Sequence, residues 1–120
     1  MISDKKRYDV IVAGAGPAGI CAAIESARSG ASTLIVERYG CVGGNLTNGY
    51  VGPLLGSVCP GTMAEEIEAA ICPDKGACPD FETAKIRLTE LLDDAGVDIR
   101  LQTYVTGAVR EGNMVTSSPA

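Results

Sequence analysis

The alternation of apolar and polar positions divides the chain into a short series of elements. Tyr8 to Ala13 is a nearly continuous apolar run, the pattern of a strand buried on both faces of a parallel sheet. It meets a glycine turn, Gly14 to Gly19, and then Ala18 to Ser29 reads as a helix, with Ala22, Ala23 and Ala27 mixed with Ile20 and Ile24. Gly30 stands where a helix-terminating glycine belongs. Ser32 to Val36 predicts a second buried strand that ends at Glu37. From Arg38 to Gly61 the periodicity fails. Gly40, Gly43, Gly44, Gly49, Gly52, Gly56 and Gly61, with Pro53 and Pro60, predict a loop that passes close to something or an insertion with little regular structure.

Thr62 and Glu65 form a capping box that opens a short helix with Met63, Ile67, Ala70 and Ile71 on one face. Cys72 to Pro79 is a break. Asp80 then caps a helix carrying Phe81, Ala84, Leu88, Leu91, Leu92 and Ala95, and Gly96 stops it. Val97, Ile99 and Leu101 alternate, which predicts a third strand. Tyr104–Arg110 and Met114–Thr116 flank Glu111-Gly112-Asn113 as a hairpin. Residues 1–7 are a polar lead-in, and the sequence contains no repeat. The order strand, helix, strand, helix, strand predicts an α/β fold: a Rossmann-like βαβ parallel sheet with an added β-hairpin or meander.

Composition narrows the chemistry. A chain of 120 residues is one domain by its length and buries roughly two thirds of its unfolded surface. Aromatics make up 4% and the net charge is −5, so base stacking and phosphate-backbone binding are both disfavoured, and nucleic acid is excluded as a partner. With no histidine, imidazole is unavailable as base, proton shuttle or metal ligand. Cys21, Cys41, Cys59, Cys72 and Cys78 are odd in number and form no C-x-x-C, so no metal is expected and reduced thiols of a cytoplasmic protein are the simplest reading. Lys5, Lys6 and Arg7 precede an apolar run as in a signal peptide, but Asp9 and the glycines interrupt it. No segment has the roughly 18 unbroken apolar residues of a membrane span.

The glycine turn carries the functional expectation. Gly14 can take the angles of a sharp turn, Gly16 lets a pyrophosphate approach bare main chain, and Gly19 lets helix and strand close together. The whole turn, Gly14, Ala15, Gly16, Pro17, Ala18 and Gly19, ends at a helix start whose free N–H groups and dipole favour an anion. Glu37, roughly 20 residues on, can accept hydrogen bonds from both ribose hydroxyls and would repel a 2′-phosphate. A nicotinamide dinucleotide, a flavin dinucleotide and a ligand-free turn all remain open on these residues.

The stretch YDVIVAGAGPAGICAAIESARSGASTLIVERYGCVGGN resembles the amino-terminal part of FAD-dependent oxidoreductases with the glutathione-reductase-like fold. FETAKIRLTELLDDAGVDIRLQTYVTGAVREGNMV resembles the same family further along. The resemblance implies FAD as cofactor, with Glu37 and Arg38 at the ribose and Gly43 and Gly44 against the ribityl and ring side. It implies that Val105 offers its backbone to the adenine edge. It further implies hydride or electron transfer between a small organic substrate and FAD. Residues 1–120 would then be the FAD-binding domain of a longer enzyme, incomplete and inactive without a second polypeptide or a carboxy-terminal domain. Disulfide reductases of this fold carry a C-x-x-x-x-C pair, and Cys41 lacks a partner at that spacing. A packing role is expected for Cys21, and incidental thiols for Cys72 and Cys78. A solvated face is expected for Glu65, Glu66 and Glu68, and solvent-facing positions for Lys85 and Arg87. No catalytic residue is named. An NAD-binding Rossmann subunit and a non-catalytic dinucleotide-binding fragment are the alternatives.

Overall fold

A computed structural model describes residues 7–72, 74 and 79–117. Most of the polar lead-in, Cys78 and most of the break before Asp80 lie outside the described residues, as do the last three residues. Strand β1 (Val10–Ala13), helix α1 (Pro17–Arg28) and strand β2 (Thr33–Val36) form the first crossover unit. Helices α2 (Met63–Ile71) and α3 (Phe81–Asp94) lead to β3 (Asp98–Arg100), and β4 (Ala108–Glu111) and β5 (Met114–Ser117) follow. The three-stranded sheet runs β1-β2-β3, all parallel, while β4 and β5 form a separate antiparallel pair.

Local signals set the element ends. Pro17 opens α1 with its fixed φ and missing donor. Gly30, at φ 94, closes it by the left-handed turn that glycine takes without a Cβ penalty, with Ala31 N–H donating to Ser26 C=O. Asp80 accepts from Thr83 N–H at 2.9 Å and caps α3. Thr62 caps α2, but the returning Glu65 carboxylate accepts from Gly61 N–H at 2.7 Å, one residue before the N-cap.

Register decides which faces are buried. Val12, Ile35 and Ile99 lie side by side and face the helices. Ile20, Ile24, Ala84, Leu88 and Leu92 cover them and are essentially inaccessible. Helix α1 packs on β1 and β2 and touches α3, which packs on β3 and α2. β2 is buried throughout, as its apolar run predicts.

β1 departs from expectation. Its positions alternate between half-buried and exposed, and Ile11 is 42% exposed. It is an edge strand, and its far face has no covering element among the described residues. The continuous apolar run registers both faces without showing what sits on either. Tyr8 and Asp9 precede the strand rather than joining it. Asp9 instead clamps the start of β2, accepting from Ser32 N–H and Oγ at 2.8 and 2.7 Å.

The hairpin also differs. Glu111 pairs with Met114, so Gly112-Asn113 alone make the turn, and Tyr104–Gly107 is irregular rather than strand. β4 is exposed throughout. Among the described residues this ribbon pairs with no other strand and keeps only its own ladder, separate from β3.

Candidate functional site

The carboxyl ends of β1 and β2 open into a cleft of about 560 Å³. This is where ligands sit in open parallel sheets, because loops diverge there and helix N-termini point inward. Gly14, Glu37, Arg38, Gly44, Asn45, Asn48 and Val105 line it, together with Tyr39, Thr103 and Tyr104.

Each turn glycine has its own reason. Gly14, at φ 103, needs the left-handed region. A methyl on Gly19 would overlap the carbonyl oxygen of Gly14 and lie 3.1 Å from its carbon, so this glycine closes the helix onto the turn. A methyl on Gly16 would meet nothing within 4 Å. Gly16 is therefore not required by internal packing, and its open side is a place where an outside group can reach main chain.

The donors are arranged to match. Gly14 N–H bonds to Val36 C=O at 2.8 Å, and Ala15 N–H donates to Glu37 Oε2 at 2.7 Å. Gly16 is the N-cap of α1 and no side chain caps the helix. The N–H groups of Gly16, Ala18 and Gly19 make no bond among the described residues, and Pro17 has none to make. Three free donors at the start of a 12-residue helix are an anion seat. This donor set and the open side of Gly16 fit a dinucleotide pyrophosphate.

Glu37 is 5% exposed. Its Oε1 accepts from Tyr39 N–H at 3.0 Å, and its backbone is held by Arg100 C=O and Thr103 N–H. An ionised carboxylate has about four lone-pair sites, so two remain for a sugar diol. Arg38 lies over the Tyr39 ring, its guanidinium carbon 4.6 Å from the centroid, a cation–π contact at the cleft wall.

Gly43 and Gly44 are explained from inside the protein. A methyl on Gly43 would collide with the Thr47 side chain, and one on Gly44 would stand 3.0 Å from the Gly16 Cα. The close approach at this doublet is between two loops of the chain itself, reinforced by Gly43 N–H on Ala15 C=O at 2.7 Å. Gly44 still lines the cleft. Gly43, like Ala15, Gly16, Pro17, Ala18 and Gly19, stands behind or beside it rather than in its lining.

Asn45 and Asn48 were not anticipated. They follow the glycine doublet in a stretch without periodicity, and only their place after β2 could have pointed to them. The Asn48 amide is engaged with Cys41, accepting from its thiol at 3.0 Å and donating to its carbonyl at 3.3 Å. Cys21 packs against the core, where burial pushes its thiol pKa up. Cys21, Cys41 and Cys59 form no disulfide among the described residues, where no metal-binding group of His, Cys, Asp or Glu occurs either. Glu66 stays on the solvated face and there grips Arg28 with both oxygens at 2.6 and 2.8 Å, tying α1 to α2. Lys85 pairs with Glu82 and is only 23% exposed, while Arg87 pairs with Glu90 in solvent. No helix among the described residues is long and apolar enough to cross a membrane.

Comparison with known proteins supplies the relatives of this site. The model of the FAD dependent oxidoreductase family matches residues 9–118. The thioredoxin reductase of Bacillus subtilis is 51% identical over 47 residues, 39% of this chain and 15% of that protein. Digeranylgeranylglycerophospholipid reductase 1 of Methanococcoides burtonii is 30% identical over an alignment covering 92% of this chain and 32% of the relative. The crystal structure of Lactococcus lactis thioredoxin reductase superposes with a TM-score of 0.62 at 27% identity, over 94% of this chain and 31% of that one. The chain thus spans a third or less of the length of each of these three relatives.

Proposed function

Because this chain belongs to the FAD dependent oxidoreductase family, we propose that residues 1–120 form the FAD-binding part of a flavin-dependent oxidoreductase. The bound flavin supplies the redox chemistry, moving hydride or electrons to or from an organic substrate, while the protein binds and orients it. The chain's own residues divide that binding between them. The free N–H groups of Gly16, Ala18 and Gly19 hold the pyrophosphate, with Gly14, Ala15 and Pro17 shaping the turn. Glu37 accepts from the ribose hydroxyls beside Arg38. Gly43 and Gly44 hold the second loop against the turn on the flavin side, and Val105 presents backbone at the adenine end.

The observation that carries this reading is the uncapped start of α1, with three unbonded donors beside a Gly16 whose open side faces no protein atom. A buried acid at the end of β2, on the wall of the cleft beside this turn, supports it. A small organic substrate, a second polypeptide or carboxy-terminal domain that completes the fold, and a cytoplasmic setting for the thiols belong to the same proposal.

The test is the visible absorption spectrum of the purified chain, with mass spectrometry of any released cofactor. A flavin spectrum, as isolated or after adding FAD, is the expected result. A colourless protein that takes up no FAD, or one that releases NAD, would overturn the reading.

A further inference from the structure

The Glu37 carboxylate reaches past the cleft wall to the glycine turn itself. Its Oε2 holds Ala15 N–H at 2.7 Å and its Oε1 holds Tyr39 N–H at 3.0 Å. Resting on the FAD-binding reading above, we infer that Glu37 is a positioning residue for the phosphate turn. It sets the Gly14–Ala15 peptide before any ligand arrives.

That peptide has two ends with opposite surroundings. Its N–H points at the carboxylate, and its carbonyl oxygen lies under Gly19, where a methyl would overlap it. Ala15 is fully buried, so without Glu37 its N–H would be a buried donor with no partner. Gly14 at φ 103 has no Cβ to oppose rotation, and nothing stands within 4 Å of where one would be. On the Gly14 side rotation of this peptide is therefore unopposed, and the Glu37 carboxylate is what holds its N–H in place; in the turned state a carbonyl dipole would replace a donor on the side of the acid. Ala15 also presents its own C=O to Gly43 N–H, so a change at this peptide passes to the second loop and to Gly44, packed on Gly16. The Glu37 carboxylate thus joins the turn to the stretch after β2, and the main-chain carbonyl of the same residue, accepting from Thr103 N–H, adds the segment that carries Val105.

The arrangement also explains how an acid is tolerated beside an anion seat. Two N–H groups of the chain already point their positive ends at it, which offsets part of the repulsion a bare carboxylate would exert on a phosphate.

The experiment compares the full chain with Glu37→Gln. Glutamine keeps the shape, but one of its two ends is an NH₂ that faces an N–H donor, so only one tie survives. Amide hydrogen exchange by NMR in the ligand-free wild type should find Ala15 strongly protected, and E37Q should weaken that protection, because Ala15 N–H then meets at best a neutral amide oxygen in place of a carboxylate. Affinity is then measured for FAD and for inorganic pyrophosphate, which has no ribose. Both should fall together in E37Q, each by several-fold, because the turn then divides its time between the held and the turned peptide and only the held one is competent, a loss greater than relief of the acid's repulsion returns. A fall for FAD with pyrophosphate unchanged would make Glu37 a ribose contact only and overturn the inference. Free exchange of Ala15 in the wild type would overturn it as well, and that measurement decides the matter if E37Q does not fold. Failure of the wild type to bind FAD would sink the FAD-binding reading, yet leave the protection of Ala15 in ligand-free protein intact, so the two failures are distinct.

Discussion

Gly16 and Gly19 lie within one turn of chain, and the same Gly→Ala change should act on them in opposite ways. At Gly19 the new methyl would overlap the Gly14 carbonyl oxygen and sit 3.1 Å from its carbon and 3.4 Å from Val12 Cγ1. The obstacle is backbone on one side and a strand residue on the other, so neither can step aside cheaply. Overpacking of this kind costs about 1–3 kcal/mol, and a backbone clash belongs at the upper end, about 3 kcal/mol. Alanine's better helix propensity returns at most about 1 kcal/mol. The net loss of about 2 kcal/mol corresponds to a fall in Tm of roughly 8 °C, at about 4 °C per kcal/mol for a domain of this size. At Gly16, φ −75 and ψ 176 suit alanine, and the methyl meets no protein atom. Exchanging an N-cap glycine for alanine costs about 1 kcal/mol or less. The methyl would instead stand where the pyrophosphate approaches. Losing one charge-assisted N–H contact, worth about 1.5–3 kcal/mol, weakens FAD binding by about tenfold or more. Thermal melts of the ligand-free proteins and FAD titrations separate the two effects. If G19A melts with the wild type, or if G16A binds FAD as tightly as the wild type, the assignment of packing to one glycine and ligand approach to the other is wrong.

Leu92, fully buried beneath the sheet, should lose about 2–5 kcal/mol of stability on change to alanine, read by urea denaturation. Leu55, 94% exposed, should shift by no more than about 0.5 kcal/mol on change to serine in the same assay. Asp80 and Asp9 both have pKa values lowered by hydrogen bonds, from the Thr83 hydroxyl and N–H and from the Ser32 hydroxyl and N–H. Carboxylates depressed in the folded state stabilise it fully above the ordinary aspartate pKa of about 3.9, and that contribution is lost as pH falls through the lower folded value. Melting temperature should therefore drop on acidification below about pH 4, and Asp80→Asn, which caps without titrating, should flatten the drop. The Arg28–Glu66 pair is about 40% exposed on each side. A double-mutant cycle should return a small coupling that shrinks as salt is raised, and a coupling indifferent to salt would contradict its screening by solvent.

The order of elements was legible because each is announced by neighbours in sequence. Apolar runs give β1 and β2, Pro17 and Gly30 bound α1, Asp80 caps α3, and the spacing of Gly14, Gly16 and Gly19 marks the turn. The acid at the end of β2 was legible too, since only its distance from the turn mattered. The direction of the Glu37 carboxylate was not, because it depends on Ala15 being brought back beside it 22 residues away.

The sequence alone therefore determined the βαβ order, the helix ends and the position of the glycine turn, all of which rest on interactions within a few residues. Only the tertiary structure decided that β1 is an exposed edge, that the hairpin stands apart, and that Gly44 packs on Gly16 rather than serving the cleft alone. It also decided that Asn45, Asn48 and Thr103 share one cleft with Glu37. These are contacts between segments distant in sequence, and periodicity and capping carry no record of which distant segment will fill the space beside a given face.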